Sequence, residues 1–142
     1  MKLRGNSPAK VDDKGRLKIP AYFLDALKEF GNQFYITSPT GESARVYPMK
    51  VWSEMEDKLA NTPNSAEKRA FLMRTSYYGQ VAEMDAQGRV LLPSVLREAA
   101  ALRGDVEVLG NLNYLMVMND ARAVEQIKNQ PFTEEQEDAL GL

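Results

Sequence analysis

Ten residues, VDDKGRLKIP at 11–20, return as MDAQGRVLLP at 84–93, and a repeat of this kind restricts the chain to folds assembled from two like units. The offset is 73 residues, from Asp12 to Asp85, and it also aligns Gly15 with Gly88, Arg16 with Arg89, Pro20 with Pro93, Ala26 with Ala99 and Gly31 with Gly104. Both units share one grammar. A short extended segment (9–11; 81–84) leads into Asp-x-x-Gly, where the side chain of Asp12 or Asp85 accepts turn amides and Gly15 or Gly88 tolerates positive φ. The strand that follows alternates: Leu17 and Ile19 oppose Arg16 and Lys18, and Val90 and Leu92 oppose Arg89 and Leu91. Each unit therefore starts as a hairpin. Pro20 and Pro93 fit the first position of a helix. AYFLDALKEF puts Phe23, Leu27 and Phe30 on one side and stops at Gly31, and SVLREAAALR stops at Gly104.

A second strand pair follows each glycine: QFYIT with ARVYP across SPTGES, and VEVLG with YLMVM across NLN. Each unit reads ββαββ. Between them the spacing predicts a helix over 49–59 with Met49, Trp52, Met55 and Leu59 on one side, a break at 61–64, and a helix over 65–78; a further short helix follows Asp120. The last ten residues, TEEQEDALGL, hold four acids and no base and are expected to stay mobile. The organisation is repeat 1 at 6–53, a helical connector at 54–81, repeat 2 at 82–125, and a helix end with an acidic tail at 126–142. A unit of about 45 residues cannot cover its own sheet faces. Two units can complete each other, so the expected class is α+β, mainly β: a closed β-structure with a pseudo-twofold axis and peripheral helices.

The chain of 142 residues has neither Cys nor His, which removes disulfides, Cys-type zinc, and Ser–His or Cys–His catalysis. No phosphate loop, dinucleotide fingerprint or paired-carboxylate motif takes their place. The expectation is a binding protein without metal, cofactor or small-molecule substrate. Without an apolar run of about 18 residues, or the apolar stretch of a signal peptide near the start, a cytoplasmic location is expected and no membrane partner.

Charge is unevenly placed. Residues 1–20 carry Lys2, Arg4, Lys10, Lys14, Arg16 and Lys18 against Asp12 and Asp13, a sum of +4, while the rest of the chain brings the total to −2. A basic end on an acidic body suits a local polyanion contact, the other reading being a solvated terminus. Aligning the units sharpens this, because Lys10, Lys14, Arg16 and Lys18 correspond to Glu83, Gln87, Arg89 and Leu91, so the first hairpin sums to +2 and the second to −1. Only the first is expected to be a strong phosphate surface. For Arg16 and Arg89 one reading is a guanidinium offered to DNA, and the other is an arginine closed onto Asp12 or Asp85 to fix its turn. Tyr77 and Tyr78 are expected in core or interface, and Lys68, Arg69 and Arg74 on a solvated helix face. Trp52, Phe71, Leu72, Tyr77 and Tyr78, lying on helices outside the sheet units, point to a closed homo-oligomer larger than a dimer.

The doubled D-x-x-G-R with an apolar strand, proline and short helix resembles the swapped-hairpin AbrB/SpoVT-type domain. Two copies in this length, with MKLRGN, FYIT, RVYPMKVW, KRAFLMRTSYYG and MDAQGRVLLPSVLREAA, resemble the MraZ family of bacterial transcriptional regulators. The segment VMNDARAVEQI departs from the aromatic-containing stretch common there. The resemblance implies a double-split (swapped-hairpin) β-barrel from two pseudo-twofold ββαββ repeats. It also implies ring assembly and nucleoid-associated, sequence-specific binding to double-stranded DNA upstream of the chain's own gene, at the head of a division and cell-wall cluster. The DNA-contacting set it implies is Arg16 and Arg89, joined on the charge argument by Lys14, Lys18, Lys10, Arg4 and Lys2. With one basic hairpin per subunit, short direct repeats spaced by a helical turn are expected in the operator. An antitoxin-like partner-binding module is the alternative that AbrB-type domains bring.

Overall fold

Proline closes strands and opens helices three times in this chain, and that punctuation shapes the fold. The computed structural model describes residues 2–142. These form β1 (Asn6–Val11), β2 (Arg16–Lys18), α1 (Ala21–Lys28), β3 (Gln33–Thr37), β4 (Ala44–Pro48), α2 (Met49–Ala60), α3 (Ala66–Tyr77), β5 (Gln80–Glu83), β6 (Arg89–Leu91), α4 (Ser94–Ala100), β7 (Gly104–Gly110), β8 (Leu115–Asn119), α5 (Asp120–Asn129) and α6 (Glu134–Ala139). Pro20, Pro48 and Pro93 sit one residue ahead of α1, α2 and α4 with φ −57°, −53° and −57° and ψ between 134° and 140°. Their φ already suits a helix while their ψ is still that of a strand, so each ring marks the boundary itself.

The eight strands make one antiparallel sheet in the order β5-β3-β4-β8-β7-β1-β2-β6. Its outermost strands, β5 and β6, are the arms of the second hairpin, joined through the Asp85 turn, so the sheet curls into a nearly closed barrel. Both hairpins are split. β1 meets β2 only at Val11↔Leu17 and instead runs along β7 from Asn6↔Leu109 to Val11↔Gly104. In the other unit β5 runs along β3, from Gln33↔Glu83 to Ile36↔Gln80. Each unit thus lends its first strand to the other, forming the swapped-hairpin barrel from two pseudo-twofold repeats. The symmetry shows in the register: Leu17 pairs with Val90, its own counterpart at the 73-residue offset, flanked by Arg16↔Leu91 and Lys18↔Arg89. On the far side, with Pro48 matched to Asn119, Arg45 pairs with its counterpart Met116.

Inward residues of both units merge into one core that includes Leu17, Ile19, Phe34, Ile36, Val90, Leu92, Val106, Val108 and Val117, closed by Phe23 and Leu27 from α1 and Leu96 from α4. Unit one has a second cluster. Trp52 of α2 stacks on Tyr35 (centroids 4.7 Å) and touches Tyr47 (5.1 Å), with Phe71 of α3 beyond it. The end of α3 is tied to the sheet where the Thr75 carbonyl accepts hydrogen bonds from the Thr37 hydroxyl (2.7 Å) and the Tyr35 hydroxyl (2.9 Å).

Several expectations need correction. Trp52 is not left outside the sheet units but buried, and Phe71 and Tyr78 are half-buried; of the five residues offered for assembly only Leu72 and Tyr77 are exposed. Phe30 lies past the end of α1 and is only partly covered. α4 stops at the left-handed Ala101 (φ 53°) rather than at Gly104. The acidic tail is not shapeless: α6 is opened by a capping box in which the Thr133 side chain takes the Gln136 amide and the Gln136 side chain takes the Thr133 amide.

Candidate nucleic-acid interface

Each hairpin turn is built by its aspartate. Asp12 Oδ1 accepts the amides of Lys14 (3.0 Å) and Arg16 (2.9 Å), and Oδ2 accepts Arg16 Nε at 2.8 Å. Asp85 repeats this with the amides of Gln87 and Arg89 and with Arg89 Nε, each at 2.9 Å. The amides of Arg16 and Arg89 foremost, helped by the guanidinium groups, hold both carboxyls below the usual aspartate value, outweighing a smaller opposing effect of desolvation. Gly15 (φ 85°) and Gly88 (φ 76°) complete the turns in a conformation that L side chains resist.

Of the two sequence readings of the arginines, the closure onto aspartate is what the geometry shows. Only Nε is committed to the aspartate, so the carboxylate fixes the side chain at its elbow while the two terminal nitrogens carry no hydrogen bond among the described residues. An arginine held this way presents a pre-set fork of donors.

The split hairpins then bring the two units together. Gly15 O accepts the Leu92 amide (3.0 Å) and Gly88 O accepts the Ile19 amide (2.9 Å), so each turn is pinned by the other unit. β2 and β6 form a two-stranded ribbon whose inner face is Leu17 and Val90 and whose outer face is Arg16, Lys18, Arg89 and Leu91. Residues paired across strands point the same way, so Lys18 stands beside Arg89, and Arg16 lies diagonally from Arg89 with Cα atoms about 7–8 Å apart. Sequence reasoning treated the hairpins as separate surfaces; the ribbon makes them one, with Lys18 supplying the cation that unit two lacks.

The remaining basic residues divide. Lys14 is exposed at the first tip. Lys10 is exposed on β1 and stands 3.8 Å from Asp105, which offsets its charge. Lys2 and Arg4 flank the Leu3↔Leu112 bridge at the opposite end of β1, about 20 Å or more from the tip at the strand rise of 3.4 Å per residue. They are not part of this surface. Arg97, which the sequence reading did not single out, lies at the first tip: it projects from α4 of unit two over the first turn, so that a Cβ on Gly15 would fall within its guanidinium.

Elsewhere, α5 and the outward side of β7 and β8 frame a groove lined by Leu109, Met116, Met118, Val124 and Ile127. Met73 and Tyr77 of α3 make a separate exposed apolar patch. Among the described residues no cluster of acidic side chains could hold a metal, and no helix is long and apolar enough to cross a membrane.

Comparison with known proteins finds one family along both halves of the chain. The family model described as "MraZ protein, putative antitoxin-like" matches residues 3–74 and 80–142. The chain is 50% identical over 140 residues to a protein of Acidobacterium capsulatum named "Transcriptional regulator MraZ", covering 97% of this chain and 96% of the relative. A relative of that name from Koribacter versatilis is 50% identical over 141 residues with the same coverage. One from Mycobacterium tuberculosis is 34% identical over 141 residues and 96% of each chain.

Proposed function

The chain belongs to the MraZ family, and from that premise we propose that it is a transcriptional regulator that binds double-stranded DNA in a sequence-specific way through its hairpin ribbon. The observation that carries this is the convergence of Arg16, Lys18 and Arg89 on the outer face of β2 and β6. A two-stranded ribbon fits the major groove, and arginine reads the guanine edge there with paired donors. Lys14 and Lys18 neutralise phosphates and set position, while Arg16, fixed by Asp12, is the reader. The surface is local, which is how a chain of net charge −2 still binds a polyanion. On this reading the protein is not an enzyme and works at the nucleoid, on DNA ahead of its own gene.

A few phosphate contacts per chain bind weakly on their own, so the function needs several copies. Two unlike apolar patches on one chain, at α3 and at the α5 groove, support head-to-tail contact between copies. Such contact closes into a ring when the rotation permits. A ring gains by effective concentration at tandem boxes. A gel shift on the DNA preceding the protein's own coding sequence tests the reading. Retardation that survives excess scrambled duplex and is lost in Arg16→Ala is the expected result, and equal retardation of scrambled DNA contradicts it. The antitoxin-like alternative draws on the AbrB-type resemblance and on the words of the family description, and no feature of the ribbon favours it.

A further inference from the structure

The two turns are covered by counterparts of opposite character. At the 73-residue offset Leu24 of α1 corresponds to Arg97 of α4, and each reaches across to the other unit's turn. A Cβ placed on Gly88 would stand 3.6 Å from both terminal carbons of Leu24, whereas one placed on Gly15 would fall inside the Arg97 guanidinium. The job of capping a turn is therefore done on the sister hairpin by an uncharged, branched side chain of no special chemistry. Packing alone does not call for an arginine at 97.

Arg97 also lacks an anion. Its Nε is sealed from solvent with no hydrogen-bond partner, and among the described residues no carboxylate lies within 4.0 Å of it. Asp12, which builds the turn that Arg97 covers, is already engaged with two amides and Arg16. Asp13 and Glu98 line the cleft beside α4 without pairing to it. A guanidinium that is partly desolvated and unpaired costs free energy that an incoming anion would recover. It stands over the tip where Lys14 is exposed and from which Arg16 is presented.

We infer that Arg97 is a phosphate contact of the DNA interface, supplied by the second unit to the first hairpin, and that it makes the two hairpins of one chain unequal in use. This rests on the DNA-binding reading above. A backbone phosphate of bound duplex takes the terminal nitrogens of Arg97 while the ribbon face lies in the adjacent groove. The contact adds affinity without reading sequence.

The test uses the full-length protein and fluorescence anisotropy on two labelled duplexes, the DNA preceding its own coding sequence and a scrambled version, over a range of salt. Arg97→Leu copies the side chain that caps the sister turn and is expected to fold with an unchanged melting curve. It should lose about tenfold in affinity for both duplexes alike and lower the slope of log K against log salt by about one. Arg97→Lys should keep the slope and lose less affinity. If Arg97→Leu binds with wild-type affinity and slope while Arg16→Ala loses specific binding, this inference is wrong and the DNA-binding reading stands. If Arg16→Ala also binds normally, the reading of the interface fails with it. If Arg97→Leu cannot fold, Arg97 is a packing residue and the inference is again overturned.

Discussion

A single carboxylate organises each turn, and its chemistry sets a pH window. Asp12 and Asp85 have folded values below the ordinary aspartate value of about 3.9. Their contribution is therefore complete above that value and is lost as pH falls through the lower folded values. With no histidine in the chain, DNA affinity measured by anisotropy should stay level from about pH 5 to pH 8 and fall only below about pH 4. The glycines give a second expectation. Ala at 88 suffers only the positive φ, about 1–2 kcal/mol, while Ala at 15 must also displace Arg97. Urea denaturation should show Gly15→Ala to be the more costly, and the gap should narrow in an Arg97→Leu background. In binding, Arg16→Ala should lose more than Arg89→Ala, because Lys14 and Arg97 stand at the first tip where Gln87 and Leu24 stand at the second. The turn residues were legible in the sequence because Asp-x-x-Gly acts locally. Arg97 was not, since its partner Gly15 belongs to the other unit; the one signal was Leu24 facing Arg97 in the repeat alignment.

At the level of elements, period and punctuation were readable while pairing was not. Leu17 and Ile19 alternate with Arg16 and Lys18 as a half-buried strand requires, yet three residues of β2 carry no mark of whether β1 or β6 is the partner. Two small units that cannot cover themselves made some exchange necessary. Its register rests on the packing of Leu17 against Val90. The burial of Trp52 was missed because helical spacing shows that a face is apolar and not what covers it. The cover is Tyr35, Tyr47 and Phe71, from three other elements. Trp52→Ala should cost about 3–5 kcal/mol, seen as a lowered melting temperature and exposure of α2 and α3 to hydrogen exchange before the barrel opens. Across the end of β8 and into α5, VMNDARAVEQI brings no such aromatic, and the Val124 and Ile127 side of the groove is exposed. The tail helix was visible in principle, Thr133 and Gln136 having capping-box spacing inside TEEQ, but its acidic composition outweighed that signal.

For the whole molecule the barrel offers one basic ribbon and two unlike apolar patches, and the function proposed depends on repeating that ribbon. Light scattering at micromolar concentration should give several multiples of 16.0 kDa, and lysines placed at Val124 and Ile127 should reduce the assembly toward a single chain without unfolding it. A ring repeats its ribbon at fixed intervals and duplex DNA returns the same groove face about every 10–10.5 base pairs, so boxes must stand in helical register. The most direct test is an anisotropy titration of the upstream DNA before and after inserting five base pairs between two footprinted boxes. The insertion turns the second box to the opposite face, and the account predicts that affinity falls close to that of a single box. Unchanged affinity would contradict it.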